Sequence, residues 1–408
     1  MPAFPALHPR LRRFALILAL GLAAALPARA ETVLGLEDWL ARAAQAQSAG
    51  RDREALAILG AVVAERPGYA PAEAALTAAL DRIGPPARAE AVLRGALARD
   101  PKHRKAWLAA LTALDRAHPW RVSGSFALLP TTNLGHTSSE RYLVTDFGTF
   151  LIDDGGEEKP GLGASFGLSA DRVFALAPGQ RLHATFSLTG AWFEAARQRY
   201  AEPGIALRYE NLTGPGLWQI ETYLRQRAYD GAPGDVTSDQ RTAGISAARL
   251  IPLGRGTLTL RARSEYRSFR EKPYYDGPYR ALGLSGSQSF GATRLSYGIT
   301  LDRMRTRKDY HRNRGVALDI GLTRDFSPRL TAGVSLFADW HRYDATFPML
   351  GRPRSDHSFG LGLNLRLPGV QLMGASPQIG CTARRNISNV ALYSWDAVDC
   401  TLGWQRRF

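Results

Sequence analysis

The sequence predicts an α-helical repeat domain followed by an antiparallel transmembrane β-barrel of about fourteen strands. Three observations carry that expectation. The apolar period changes from helical to two near Trp120. The last segment, Ala397 to Phe408, alternates Cys400, Leu402, Trp404 and Phe408 with Thr401, Gly403, Gln405 and Arg407, broken only by Arg406. Beyond residue 30 no apolar run is long enough for a membrane helix, so a membrane crossing would have to use the strands of a closed barrel.

The amino-terminal segment reads as a targeting signal. Arg10, Arg12 and Arg13 precede the apolar run Phe14–Leu26, and Pro27-Ala-Arg-Ala30 ends in a small-x-small pattern, so residues 1–30 are expected to be a secretory signal cleaved after Ala30. The formal charge of the chain is +15; the signal holds four arginines and no acid, which leaves +11 on residues 31–408. An exported chain meets little nucleic acid, so the expected partners of this surplus are lipid headgroups, lipopolysaccharide phosphates or an acidic passenger. The expected location is the outer membrane, with the helical domain in the periplasm.

Residues 31–118 are rich in Ala and Leu with helical periodicity. A shift of 34 residues aligns Gly50 with Gly84, Ala55 with Ala89, Leu59 with Leu93, Ala64 with Ala98, Pro67 with Pro101 and Ala72 with Ala106. Paired helices at this period, with small residues at the crossings and proline after the second helix, form a tetratricopeptide-like pattern. The helices are expected at 36–48, 52–66, 70–83, 86–99 and 103–117. Such helices offer either a concave groove for a peptide or a lid against the barrel mouth.

Residues 119–408 read as the barrel. Leu330, Ala332, Val334, Leu336, Ala338 and Trp340 alternate with Thr331, Gly333, Ser335, Phe337, Asp339 and His341, and several other segments repeat the pattern. A soluble sandwich alternates too. A membrane barrel is favoured by strands of about ten residues or more, by aromatic residues such as Tyr297 and Trp340 on the apolar face, and by connections that are alternately short and long. An even strand number keeps both ends of the barrel on the side of the helical domain. In this register Arg225, Arg227, Arg261, Arg263, Glu265, Arg267, Asp302, Asp319, Asp339 and Arg366 face the lumen. They line either a wet path for a polar chain or a salt-bridged filling. A one-residue slip would expose them to lipid at about 2–4 kcal/mol each.

Cys381 and Cys400 are the only cysteines. A turn centred near Val390 and Ala391 sets them opposite each other on the apolar face, a candidate cross-strand disulfide in an oxidising compartment. Their spacing fits no metal motif, and no cofactor or metal is expected. The histidines are scattered through strands and loops and no metal-binding cluster appears, so the chain does not read as an enzyme. Asp153–Glu158 forms an acidic loop that could bind a divalent ion, although a solvated loop is the plainer reading. Arg303–Arg314 is a basic stretch suited to lipopolysaccharide phosphates.

Pro130-Thr-Thr-Asn-Leu-Gly135, Arg354-Ser-Asp356, and a closing pattern of Pro377, Arg385-Asn-Ile-Ser-Asn389 in the loop of that strand, Tyr393 and Phe408 follow in order along the chain. In these residues the chain resembles the surface lipoprotein assembly modifier (Slam) family. Thr131 and Gly135 depart from the family pattern, which usually has Asp and Asn there. The resemblance implies a monomeric outer-membrane translocon that helps a lipoprotein passenger reach the cell surface. Trp404 and Phe408 would then be the signal read by the barrel-assembly machinery. A lipid anchor would leave through the seam between Ser123–Leu128 and Val398–Phe408. The main alternative is a polysaccharide-export pore, which also joins helical repeats to a barrel.

Overall fold

The computed structural model describes residues 35–138, 142–145, 148–151, 159–230, 238–348, 350–371 and 375–407. The expected signal, the acidic loop Asp153–Glu158 and Phe408 lie outside the described residues.

Five α-helices come first: α1 (Leu36–Ser48), α2 (Asp52–Glu65), α3 (Ala70–Ile83), α4 (Pro86–Arg99) and α5 (Arg104–Ala117). Proline sits in the first turn of α3 and of α4, where no helical N–H partner is lost. Leucines spaced about one turn apart, such as Leu76 with Leu80 and Leu93 with Leu97, are buried in a shared core with Leu56, Leu59, Trp107 and Leu111. A one-dimensional stack brings sequential helices together. Here α2 also crosses α5, three helices further on. A Cβ added at Gly60 would stand 2.4 Å from the Ala106 carbonyl oxygen, so only glycine lets the two backbones come this close. The five helices are thus closed into a bundle, which differs from the open groove expected of a simple repeat stack.

The barrel begins at Trp120. Its fourteen strands are β1 (Trp120–Thr131), β4 (Gly161–Ala177), β5 (Gln180–Phe193), β6 (Tyr200–Asn211), β7 (Leu217–Tyr229), β8 (Gln240–Leu253), β9 (Gly256–Phe269), β10 (Gly277–Phe290), β11 (Thr293–Met304), β12 (Asn313–Ser327), β13 (Leu330–Thr346), β14 (Pro353–Arg366), β15 (Pro377–Ser388) and β16 (Trp395–Arg407). A small hairpin, β2 (Tyr142–Thr145) with β3 (Gly148–Leu151), lies in the first long connection. Each barrel strand pairs antiparallel with its sequence neighbour, and β1 pairs with β16 to close the ring. Among the described residues no barrel strand is left with an open edge, as crossing a bilayer requires.

The outward face is apolar. Leu282, Leu301, Leu336 and Leu363 are each between 49% and 59% exposed, as are many similar side chains around the ring. An apolar band of this extent is stable against lipid and not against water. One end of the barrel has tight turns. Gly254 and Gly291, at φ +55° and +60°, take the first position of two-residue hairpins that suit the strand twist. The opposite end carries the longer connections, and the helical bundle lies at the turn end.

Candidate translocation lumen and its seam

Outward apolar residues fix which side chains face the lumen. All the charged residues singled out by alternation face inward, and they fall into two groups. Arg225 and Arg227 on β7 share one wall with Arg261, Arg263, Glu265 and Arg267 on β9. Small residues of β8 separate the two strands: Thr242, Gly244 and Ser246. Tyr223 reaches over Gly244, where a Cβ would stand 2.7 Å from its ring, and its hydroxyl donates to Glu265. Arg227 pairs with Glu202 at 2.7 Å, and Arg267 donates to Glu265 at 2.7 Å. Arg225 lies over the Tyr223 ring and Arg263 over that of Tyr279. Arg261 has no acidic partner among the described residues. The wall remains net basic.

The second group spans β11 to β15. Asp302 and Asp339 each lie 3.4 Å from a ring nitrogen of His341, and Arg384 is 3.1 Å from Asp339. Asp319 sits against Gly298 on the neighbouring strand, without an ion-pair partner among the described residues. Arg366 lies lower, lining a cavity of about 450 Å³ at the turn end with Arg294, Asp325, Asn364, Gln378 and Thr401. This cavity belongs to the β10–β16 side. The bundle occupies the other side.

A buried ion network fixes the bundle there. Arg181 of β5 is 1% exposed. It donates to both oxygens of Asp115 on α5 at 2.8 and 2.9 Å, to Glu90 on α4 at 2.8 Å and to Glu210 on β6 at 3.2 Å. Arg94 joins Glu90 at 2.9 Å to Glu210 at 2.6 Å, and Arg121 of β1 pairs with Asp115 at 3.0 Å. Burial alone would raise the Glu90 pKa, but Arg181 and Arg94 hold it well below the usual carboxylate range. Arg104 donates to the carbonyls of Leu212, Thr213 and Gly214 in the β6–β7 turn. Leu212 is part of the helical core, with Leu217 packed against it. Sequence reading missed this joint. The one local hint was a charged Arg181 beside a tight turn.

The seam has its own character. β1 pairs with β4 without a break from Trp120 to Thr131. Against β16 it pairs from Ser123↔Arg407 to Leu128↔Leu402, skips Leu129 and Pro130, and resumes at Thr131↔Asp399. Pro130 has no N–H to give to β16. On the lumen side the strands flanking the seam carry small residues: Gly380 and Thr382, Thr401 and Gly403, Ser123, Ser125 and Ala127, Ser165 and Gly167. This smooth strip faces the basic wall, since β8 and β15 are seven strands apart on the fourteen-strand ring. On the lipid side Phe126 stacks on Trp404 at 6.3 Å across the seam. Cys381 and Cys400 are register partners on the same outward face, joined by a disulfide.

At the loop end the seam is held by side chains. Thr131 donates to Asp399 at 2.6 Å, the Val398 N–H to Thr132 at 2.8 Å, and Asn133 to the Asp396 carbonyl at 3.0 Å. His136 pairs with Asp399 at 2.9 Å and stacks on Trp395 at 4.3 Å. Several motif residues quoted from the sequence converge here. Arg354 makes two bonds to Asp356 and lies 3.1 Å above the Tyr393 ring. Asn386 donates to the Tyr393 carbonyl, and Asn389 accepts from the Ser355 N–H at 2.8 Å. The Arg385–Ser388 stretch, read from sequence as part of a loop, is the end of β15. Strand pairing with β14 continues through it, to Asp356↔Ser388.

The model of one protein family, surface lipoprotein assembly modifier, matches residues 120–408. No match was found among curated protein sequences. Solved structures with a similar barrel include a loop-deletion mutant of the Vibrio cholerae outer membrane protein OmpT, at 6% identity, covering 71% of this chain and 99% of that one, with a TM-score of 0.40. The outer membrane channel DcaP of Acinetobacter baumannii is similar at 10% identity, 70% and 96% coverage, and a TM-score of 0.39. An anion-selective porin from Comamonas acidovorans shares 13% identity over 71% of this chain and 99% of its own, with a TM-score of 0.38. At these identities and scores the structural likeness carries no functional weight.

Proposed function

Because the chain belongs to the surface lipoprotein assembly modifier family, we propose that this outer-membrane barrel moves lipoproteins to the cell surface. The observation that carries the reading is the seam: a closed barrel whose closing strands are flanked inside by small residues and opposed by a basic wall. The bundle, in the periplasm, receives the passenger beside the turn-end cavity. The polar polypeptide follows the lumen, where mixed charge and hydroxyls replace water. Its lipid anchor stays in an apolar medium by leaving sideways between β1 and β16. Opening there breaks the short Ser123–Leu128 ladder, the Thr131↔Asp399 pair and the side-chain bonds at the loop end, and leaves the other thirteen strand pairings intact. No step calls for covalent chemistry, and we read the protein as a conduit, not an enzyme.

Locking the seam tests this. A Cβ added at Gly403 would lie 3.4 Å from the Ala127 Cβ, close to the spacing a disulfide needs. In an Ala127→Cys/Gly403→Cys variant, surface labelling of lipoproteins is expected to fall to the level of the deletion strain and to recover when the cells are treated with reductant. Undiminished display from a fully oxidised barrel would refute lateral release. Unchanged labelling in the deletion strain would refute the role itself, and a conducting lumen in that case would favour saccharide export.

A further inference from the structure

Four arginines form a single row across adjacent strands. Arg280 of β10 is paired with Arg303 of β11, Arg303 with Arg314 of β12, and Arg314 with Arg342 of β13. All four are exposed and stand on the lipid-facing side, because each is two residues from an outward apolar side chain. The next outward row toward the turn end is Leu282, Leu301, Val316 and Trp340, again in direct register.

Like charges directly opposite one another on neighbouring strands repel, and this row places four in succession. Asp344 pairs with Arg303 at 3.0 Å; Arg280, Arg314 and Arg342 have no carboxylate partner among the described residues. The row therefore needs anions from outside the chain. The outward arginines at the other boundary differ. There Arg172 lies over Trp120 and Phe174, Arg249 over Trp218, and Arg324 over Phe326, so each already has an aromatic partner.

The height of the row identifies the anion. Arg280 is ten residues from Phe290 along β10. That is about 34 Å of strand at ~3.4 Å per residue, or about 25 Å of bilayer at a tilt near 45°, the full height of an outer-membrane apolar band. The row thus sits at the headgroup level of the leaflet on the loop side. Four strands about 4.8 Å apart spread it over roughly 14 Å, wide enough for more than one phosphate. Guanidinium forks match phosphate oxygens in paired hydrogen bonds.

We infer that Arg280, Arg303, Arg314 and Arg342 form a binding site for the phosphate groups of an outer-leaflet glycolipid, holding the β10–β13 side of the barrel in the membrane. This side lies away from the seam. A lipid fixed here anchors the wall against which β1 and β16 move. The inference rests on the outward orientation of the loop end and is independent of lipoprotein display.

The test uses the full-length protein without passenger, in phosphatidylethanolamine vesicles that contain diphosphoryl lipid A or its dephosphorylated form. Glycolipid retained per barrel after detergent extraction is counted by native mass spectrometry. The native barrel is expected to retain the diphosphoryl form. An Arg280→Gln/Arg314→Gln/Arg342→Gln variant is expected to lose more than about tenfold of that retention, as three cations near an anionic surface imply. Arg172→Gln/Arg249→Gln/Arg324→Gln, at the other boundary, should retain it. If the outer triple variant does not fold, as judged by heat-modifiable gel migration, the single Arg314→Gln variant should show a smaller loss. Native retention by the folded outer variant, equal retention of the dephosphorylated lipid, or equal loss in both triple variants would overturn the assignment. Displacement by inorganic phosphate alone would make it a free-anion site and overturn the lipid reading. A Lys308→Cys loop thiol read with an impermeant maleimide on intact cells reports orientation separately. Labelling confined to lysed cells would put the row in the inner leaflet and overturn the outer-leaflet assignment.

Discussion

Arg181 shows how a single side chain holds the two halves of the molecule together. It neutralises carboxylates from α4, α5 and β6 at once, and almost none of it is reached by solvent. Truncating one partner of a buried ion cluster leaves the others uncompensated, at about 3–5 kcal/mol. In an Arg181→Met variant the barrel is expected to keep its heat-modifiable migration while the bundle comes loose. The readout is protease cleavage near His118–Pro119, rapid in the variant and slow in the native protein. The same joint should respond to acid. Glu90 is ionised far below its ordinary pKa because of Arg181 and Arg94. A depressed carboxylate contributes stability that is present above its unfolded pKa of about 4.3 and is lost as pH falls below it. Cleavage at the linker of the native protein should accordingly speed up below about pH 4.

At the level of elements, the α2–α5 crossing decides whether five helices make a bundle or an open stack. Gly60 lets the Ala106 backbone approach more closely than any side chain would permit. A Gly60→Val substitution is expected to push the helices apart and cost about 1–3 kcal/mol of bundle stability. Thermal melting followed by helical circular dichroism would detect it, with strand signal unchanged; an unaltered helical transition would refute the crossing. The alternation of the strands and the opposition of Cys381 to Cys400 were legible in the sequence, because alternation is local and a hairpin centre fixes pairing on both sides. The crossing at Gly60 and the Arg181–Asp115 contact were not legible. They join positions that no period connects, and a glycine or a charged residue near a turn has many uses. The arginine row falls between these cases. Each member is visible as a basic residue, but the row exists only once four strand registers are known together.

For the whole molecule, the two ends of the barrel carry different chemistry. The turn end is covered on one side by the ion-paired bundle. At the loop end, rings from four connections meet in a chain. Tyr275 lies 4.2 Å from His311, Tyr310 4.4 Å from His311, Phe347 6.1 Å from Tyr310 and Tyr393 5.8 Å from Phe347. Arg354 reaches this cluster from β14. Aromatic contacts of this kind stabilise each pair by about 0.5–1.5 kcal/mol, so the chain of them ties the β9–β16 loops to one another. His311 is the titratable group within it. Burial and the nearby Arg354 charge push its pKa down to about 4, so it is neutral in the closed cluster. Released into water it would titrate near 6.5. For a histidine depressed in this way, the closed arrangement is fully stabilised above about pH 6.5 and loses that stability as pH falls toward 4. Passage through the outer mouth should therefore become easier on mild acidification. In planar bilayers the native barrel is expected to open more often as pH drops from about 7 to about 5. A His311→Phe variant, which keeps the ring and removes the titration, should show no such dependence. If the two proteins respond to pH in the same way, the loop cluster is not what closes the mouth.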